Sequence, residues 1–157
     1  MLKIPSKASV GLSLALSVVF FIGCVYLAFI LPAEVKLFVS FPDHMGNRDE
    51  ITAGGIAFLT VVAYVGLLFT VLADIMLFFL LIRVKNALVF TDISVFLIRG
   101  VSWCCFALCG ALLLFSIYFQ YALAAAFAAA FLGLCLRVVK NVIEEATRIK
   151  AENDLTV

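Results

Sequence analysis

The chain has 157 residues, of which 66% are hydrophobic and 13% charged, and its formal net charge is +1. A water-soluble domain is closer to half apolar and a quarter charged, so this composition excludes an ordinary solvated fold and leaves the lipid bilayer as the natural surface solvent. The near-neutral balance gives no polyelectrolyte signature, and no direct nucleic-acid partner is expected.

Lys3 and Lys7 precede the first apolar run, residues 10–31, which is 22 residues long and carries no charge. It exceeds the core of a cleaved secretory signal and further spans follow, which predicts a retained transmembrane helix stopping at Pro32. The loop 33–50 carries the acids Glu34, Asp43, Asp49 and Glu50 and the sole histidine, His44. Asp43, His44, Asp49 and Glu50 offer oxygen and imidazole donors, but their spacing matches no metal motif. A solvated acidic loop is expected there, with no metal.

The second span is predicted at 56–82, interrupted only by Asp74 and ended by Arg83 and Lys85; Gly54 and Gly55 ahead of it predict a loose start. Asp74 stands nine residues before Arg83, about 13 Å from that end of the helix and inside the hydrocarbon. An acid at that depth costs about 3 kcal/mol unless protonated, paired or wetted, and marks a functional site by default. The structural alternative is a hydrogen bond to a neighbouring helix, or a pairing with Arg99 or Arg137 reaching inward.

The connection 83–99 is unusually apolar, with Leu88, Val89, Phe90, Ile93, Phe96 and Leu97. Thr91 in the N-cap position, followed by apolar residues at helical spacing, predicts a short interfacial helix feeding the third span. Residues 100–136 then form a run of 37 without a charge. As one helix it would measure about 55 Å, nearly twice the hydrocarbon core, so it predicts two spans, 100–118 and 121–139. The turn falls at 118–122, where Gln120 is polar and Tyr118 and Tyr121 suit the aromatic belt.

In the fourth span Ala122, Ala126 and Ala130 repeat every four residues. Small residues at that spacing let helix backbones approach closely, either within the chain or across a homo-oligomer seam. The five cysteines, Cys24, Cys104, Cys105, Cys109 and Cys135, all lie in apolar runs. They read as small hydrophobes, with no disulfide framework and no metal or redox site.

After the fourth span the pattern changes to Arg137, Lys140, Glu144, Glu145, Arg148, Lys150 and Glu152 interleaved with Val138, Val142, Ile143, Ala146 and Ile149. This predicts an amphipathic continuation of the last helix over 140–157, with Glu144 and Arg148 as an i,i+4 ion pair. Orientation follows the basic residues. With the N-terminus inside, nine lysines and arginines flank the inner ends of the spans, against Lys36 and Arg48 outside. The expected fold is therefore all-α, with four transmembrane helices, both termini in the cytoplasm and a cytoplasmic tail. Catalysis has little material, because His44 has no evident nucleophile near it and neither a phosphate-binding glycine loop nor an H-E-x-x-H motif occurs; no enzyme and no cofactor are expected.

The closing segments, Val142-Ile143-Glu144-Glu145-Ala146 and then Ile149-Lys150-Ala151-Glu152-Asn153-Asp154-Leu155-Thr156-Val157, resemble the end of a bacterial family catalogued as domain of unknown function 2975. The middle connection departs from that family's pattern: Phe90 is followed by Thr91, Asp92 and an apolar run where the family has a more basic stretch. The resemblance implies a four-span protein of a bacterial inner or plasma membrane and, as partner, a small helix-turn-helix regulator encoded beside it. The family name assigns no activity. The leading expectation is a non-enzymatic membrane protein whose tail binds a cytoplasmic partner through Val142, Ile143, Glu144, Glu145, Ala146, Ile149, Asp154 and Leu155. The alternative is a small oligomeric transporter or channel that uses Asp74.

Overall fold

The computed structural model describes residues 6–40, 53–86 and 88–154. They form four helices: α1 (Ser6–Ser40), α2 (Ala53–Lys85), α3 (Asp92–Ser116) and α4 (Tyr121–Asp154). Each is long and apolar enough to cross a membrane, the build of a multi-pass membrane protein.

The helices stand in a row. α1 packs on α2, α2 on α3 and α3 on α4, and among the described residues no other pair of helices comes into close backbone contact. An open row leaves most apolar side chains on its two broad faces, where Phe29, Val61, Trp103 and Phe127 are among the exposed ones. That exposure would be prohibitive in water but is neutral in hydrocarbon, which is as apolar as the side chains themselves.

α1 does not stop at Pro32 but runs through it to Ser40. A proline inside a helix removes the N–H that would bond the carbonyl four residues earlier, here that of Ala28. In this fold the Tyr64 hydroxyl, on α2, donates to the Ala28 carbonyl at 3.0 Å. The orphaned acceptor is thus satisfied from the neighbouring helix, and in lipid a Pro-containing helix is tolerated on that condition. α2 is helical from Ala53, with Gly54 and Gly55 already in its first turn.

The expected separate interfacial helix before the third span is absent, because α3 begins at Asp92 and continues unbroken into the apolar run. Thr91 does occupy the N-cap position with extended backbone, yet its side chain makes no capping bond. Its hydroxyl is engaged elsewhere, accepting from the Arg83 guanidinium at 2.9 Å and donating to the Leu88 carbonyl at 3.3 Å. Ser94, fully buried, lies 3.0 Å from the Thr91 hydroxyl and donates to the same Leu88 carbonyl. Arg83 also donates to Ser94 at 3.3 Å. The network gives the Leu88 carbonyl two hydroxyl donors and ties the connection to Arg83 on α2 and Ser94 on α3.

At the opposite end the α3–α4 turn falls at residues 117–120, close to the expected position. There Leu31, Val35 and Leu59 are buried against Phe115, Tyr118 and Phe119, and Phe38 meets Phe119 edge-on at 5.9 Å. Side chains of the first three helices meet at this aromatic end.

Candidate functional site

Asp74 sits on α2 in the seam with α1 and is 7% exposed. The Ser17 hydroxyl, also buried, donates to its carboxylate at 2.8 Å. Asp74 forms no ion pair among the described residues; the arginines considered as partners are committed elsewhere. Arg99 reaches Glu144 at 3.4 Å, and Arg137 lies over the Trp103 ring, 5.5 Å from its centre. The neighbouring-helix hydrogen bond is therefore what holds this carboxyl.

A groove runs along each face of that seam. The larger, about 590 Å³, lies between α1 and α3 with α2 as its floor, and its polar lining consists of Ser13, Ser17, Thr70 and Asp74 apart from two thiols. The smaller, about 240 Å³, has Ser17 and Asp74 among Val18, Phe21, Ile75, Phe78 and Phe79. Ser13 and Thr70 bond back to carbonyls of their own helices, at 3.1 and 2.9 Å. Ser17 and Asp74 bond to each other across the seam, as Tyr64 and Ala28 do farther along it, and the pair stands as a polar strut between two largely apolar grooves.

Sequence reasoning singled out Asp74 but missed Ser17. The signal was there: Ser9, Ser13 and Ser17 are spaced by four, as are Thr70 and Asp74, so each set lies on one helix face. What the sequence lacked was the rotation that brings the two faces together.

The alanine-rich face of α4 packs on α3. Ala126 and Ala129 are buried, while Ala122 and Ala130 are half-buried. The buried stripe goes on to Gly133, alternating steps of three and four as a 3.6-residue period requires, in place of the uniform step of four. Ser102 donates to the Gly133 carbonyl at 2.8 Å. A Cβ on Gly133 would lie 3.3 Å from the Cys105 Cβ and from the Phe106 ring, so the glycine permits a close approach of the two helices there.

Beyond the seam α4 continues without a break to Asp154. The expected tail stripe divides: Val142 and Ile149 are exposed, as is Val138, whereas Ile143 and Ala146 are half-buried. Glu144 and Glu145 are exposed and charged, and Leu155 lies outside the described residues. The expected Glu144–Arg148 pair is not formed. Glu144 is held by Lys140 at 2.5 Å and by Arg99, so Arg148 turns to Glu145 at 2.5 Å and Glu152 at 3.9 Å. The hydrogen bond from Lys140, with the charges of Lys140 and Arg99, holds the Glu144 carboxyl below the usual carboxylate range, although desolvation opposes it.

The acidic cluster Asp43, His44, Asp49 and Glu50 lies outside the described residues. Among the described residues no three His, Cys, Asp or Glu side chains gather as candidate metal ligands, and all five cysteines are free thiols. Residues 39–157 match the family model described as a protein of unknown function, DUF2975. The chain belongs to this family. The DUF2975 match takes in all of α2, α3 and α4 but only the last residues of α1, so Asp74 lies within it and Ser17 outside. No curated protein and no solved structure matches the chain.

Proposed function

We propose that this DUF2975 protein is a non-enzymatic protein of a bacterial inner membrane whose α4 extension captures a cytoplasmic helix-turn-helix regulator. One observation carries the reading: past Lys140, α4 keeps an apolar face of Val142 and Ile149 exposed, beside flanks of paired charge. From Asn141 to the end of α4 is about 20 Å of helix beyond the uncharged run. An amphipathic helix of that kind docks by laying its apolar face into a partner's groove, while its charges set register. The basic bias of the loops supports a cytoplasmic placement of this end. Impermeant thiol reagents on intact cells should then label a cysteine at Asn47 and spare one at Asn153, and the opposite pattern overturns the orientation.

The experiment uses the full chain in liposomes with a purified helix-turn-helix regulator of the kind the family resemblance implies is encoded beside it. Truncation after Lys140 should leave the spans folded and reduce regulator binding at least tenfold. The same loss is expected from Val142→Glu with Ile149→Glu, which keeps the helix but removes its apolar face. Unchanged binding in both variants refutes the proposal.

A second reading, a small oligomeric transporter or channel, is favoured by the buried Asp74 carboxyl lining the larger groove. Asp74→Asn keeps an acceptor for Ser17 and abolishes titration. Under the partner-binding reading this variant is as stable as the parent and binds the regulator normally. A pH-dependent cation or proton flux in liposomes, present in the parent and lost in a stably folded Asp74→Asn, would establish the transporter instead.

A further inference from the structure

The two arginines that bound the long uncharged run, Arg99 and Arg137, end up side by side. The run between them is a helical hairpin, so its first and last residues return to the same depth at the membrane–water boundary. With Lys140 they line a cavity of about 240 Å³ between α3 and α4, closed by Ser102 and Trp103. Its composition is opposite to that of the grooves beside Asp74, since three of its five lining side chains are cationic.

Two of these cations do not simply extend into water, while the Arg99 side chain is 52% exposed. The Arg137 guanidinium lies over the Trp103 ring, and the Lys140 side chain is only 14% exposed. Arg99 completes the third side. Among the described residues the one carboxylate in contact is Glu144, bonded to Lys140 and, more weakly, to Arg99. The cluster therefore keeps an excess of two positive charges at the level where lipid phosphates lie. Ser102 is not a spare donor, because its hydroxyl bonds the Gly133 carbonyl, which leaves recognition to the cations. Trp103 is exposed on the row's outer face and offers its ring to the first carbons of an acyl chain, as interfacial tryptophans do.

We propose that this cavity holds the phosphate of an anionic phospholipid headgroup, with Arg99, Arg137 and Lys140 as donors and Trp103 as the wall against which the glycerol and upper acyl chain lie. Basic pockets between transmembrane helices at a membrane surface are suited to this ligand. A guanidinium matches two phosphate oxygens at once, and a lysine adds a point charge. Glu144 competes with the phosphate for Lys140 and Arg99. Removing its charge should tighten the site, an effect opposite to that expected if the cluster were merely a balanced surface network. The proposal does not depend on the regulator reading, since its donors Arg99, Arg137 and Lys140 precede the exposed face of the tail and only the competing Glu144 lies beside that face.

The test uses the full chain, stripped of lipid in detergent. Retention of phosphatidylglycerol, phosphatidylcholine with the same acyl chains, or soluble glycerol phosphate is read by native mass spectrometry and by the shift in melting temperature. Phosphatidylglycerol should be retained as one bound molecule and raise the melting temperature, and phosphatidylcholine should do neither. Arg137→Gln and Lys140→Gln should each weaken phosphatidylglycerol retention about fivefold, the effect of one basic residue at an anionic surface. Glu144→Gln should strengthen it. Equal retention of the two lipids overturns the proposal, as does a decrease in Glu144→Gln, which remains informative if an arginine variant fails to fold. Stabilisation by glycerol phosphate equal to that by phosphatidylglycerol would assign the cavity to a free phosphate and overturn the lipid assignment.

Discussion

The passage of α1 through Pro32 rests on one hydroxyl, and removing it tests the account directly. Tyr64→Phe deletes the donor that reaches the Ala28 carbonyl at 3.0 Å and changes little else, because the ring is retained. A carbonyl left without a partner in hydrocarbon costs several kcal/mol in principle. Measured interhelical hydrogen bonds in bilayers average about 0.6 kcal/mol and reach about 1.7. Pro32 offers residue 28 no N–H in the regular helical pattern, so the upper part of that range applies, and a loss of about 1–1.5 kcal/mol is expected. The control is the same substitution in a Pro32→Ala background, where the restored N–H at residue 32 bonds Ala28 within α1. There Tyr64→Phe should cost less than about 0.3 kcal/mol, within the range of a substitution that breaks no such feature. Reversible unfolding in detergent, followed by tryptophan fluorescence and helix content, gives both differences, and the double-mutant cycle isolates the coupling. Equal losses in the two backgrounds would refute the claim that Tyr64 compensates for the proline.

The α3–α4 seam makes a second prediction. Gly133→Leu has no room beside Cys105 and Phe106 and should destabilise the fold by about 1–3 kcal/mol, whereas Gly66→Ala meets only ordinary contacts at 3.5 and 3.7 Å and should be nearly neutral in the same unfolding assay. The third concerns pH. The Glu144 carboxyl is held below its ordinary value, chiefly by the Lys140 hydrogen bond, so its ion pairs contribute fully above the ordinary glutamate range and fade as pH falls through the lowered value. Carboxyl carbon shifts in micelles should titrate below the usual glutamate midpoint, and Lys140→Gln should move that midpoint upward; an unmoved midpoint would show that Lys140 is not the cause.

The sequence by itself determined the number and nature of the spans. A run of 37 uncharged residues is too long for one crossing and must fold back. Backbone surrounded by hydrocarbon must form helices or a closed barrel, of which a long uninterrupted apolar run fits the helix. The family was legible for a different reason, since the paired-glutamate helix and the end of the chain form a specific string. Local rules failed where a partner from another helix entered. Pro32 should end a helix by itself, but Tyr64 on α2 satisfies the carbonyl it frees. Thr91 should cap α3, but Arg83 on α2 takes its hydroxyl, and Glu144, expected to pair with Arg148, is reached by Arg99 from α3 and by Lys140 one turn earlier on its own helix. Asp74 was conspicuous in sequence because any acid in that run is costly, yet its partner Ser17 was one of several serines on α1. Which serine meets the acid depends on the rotation and height of α1 against α2. Those are set by side-chain packing over the whole seam, a property of two helices together that neither helix's own periodicity contains.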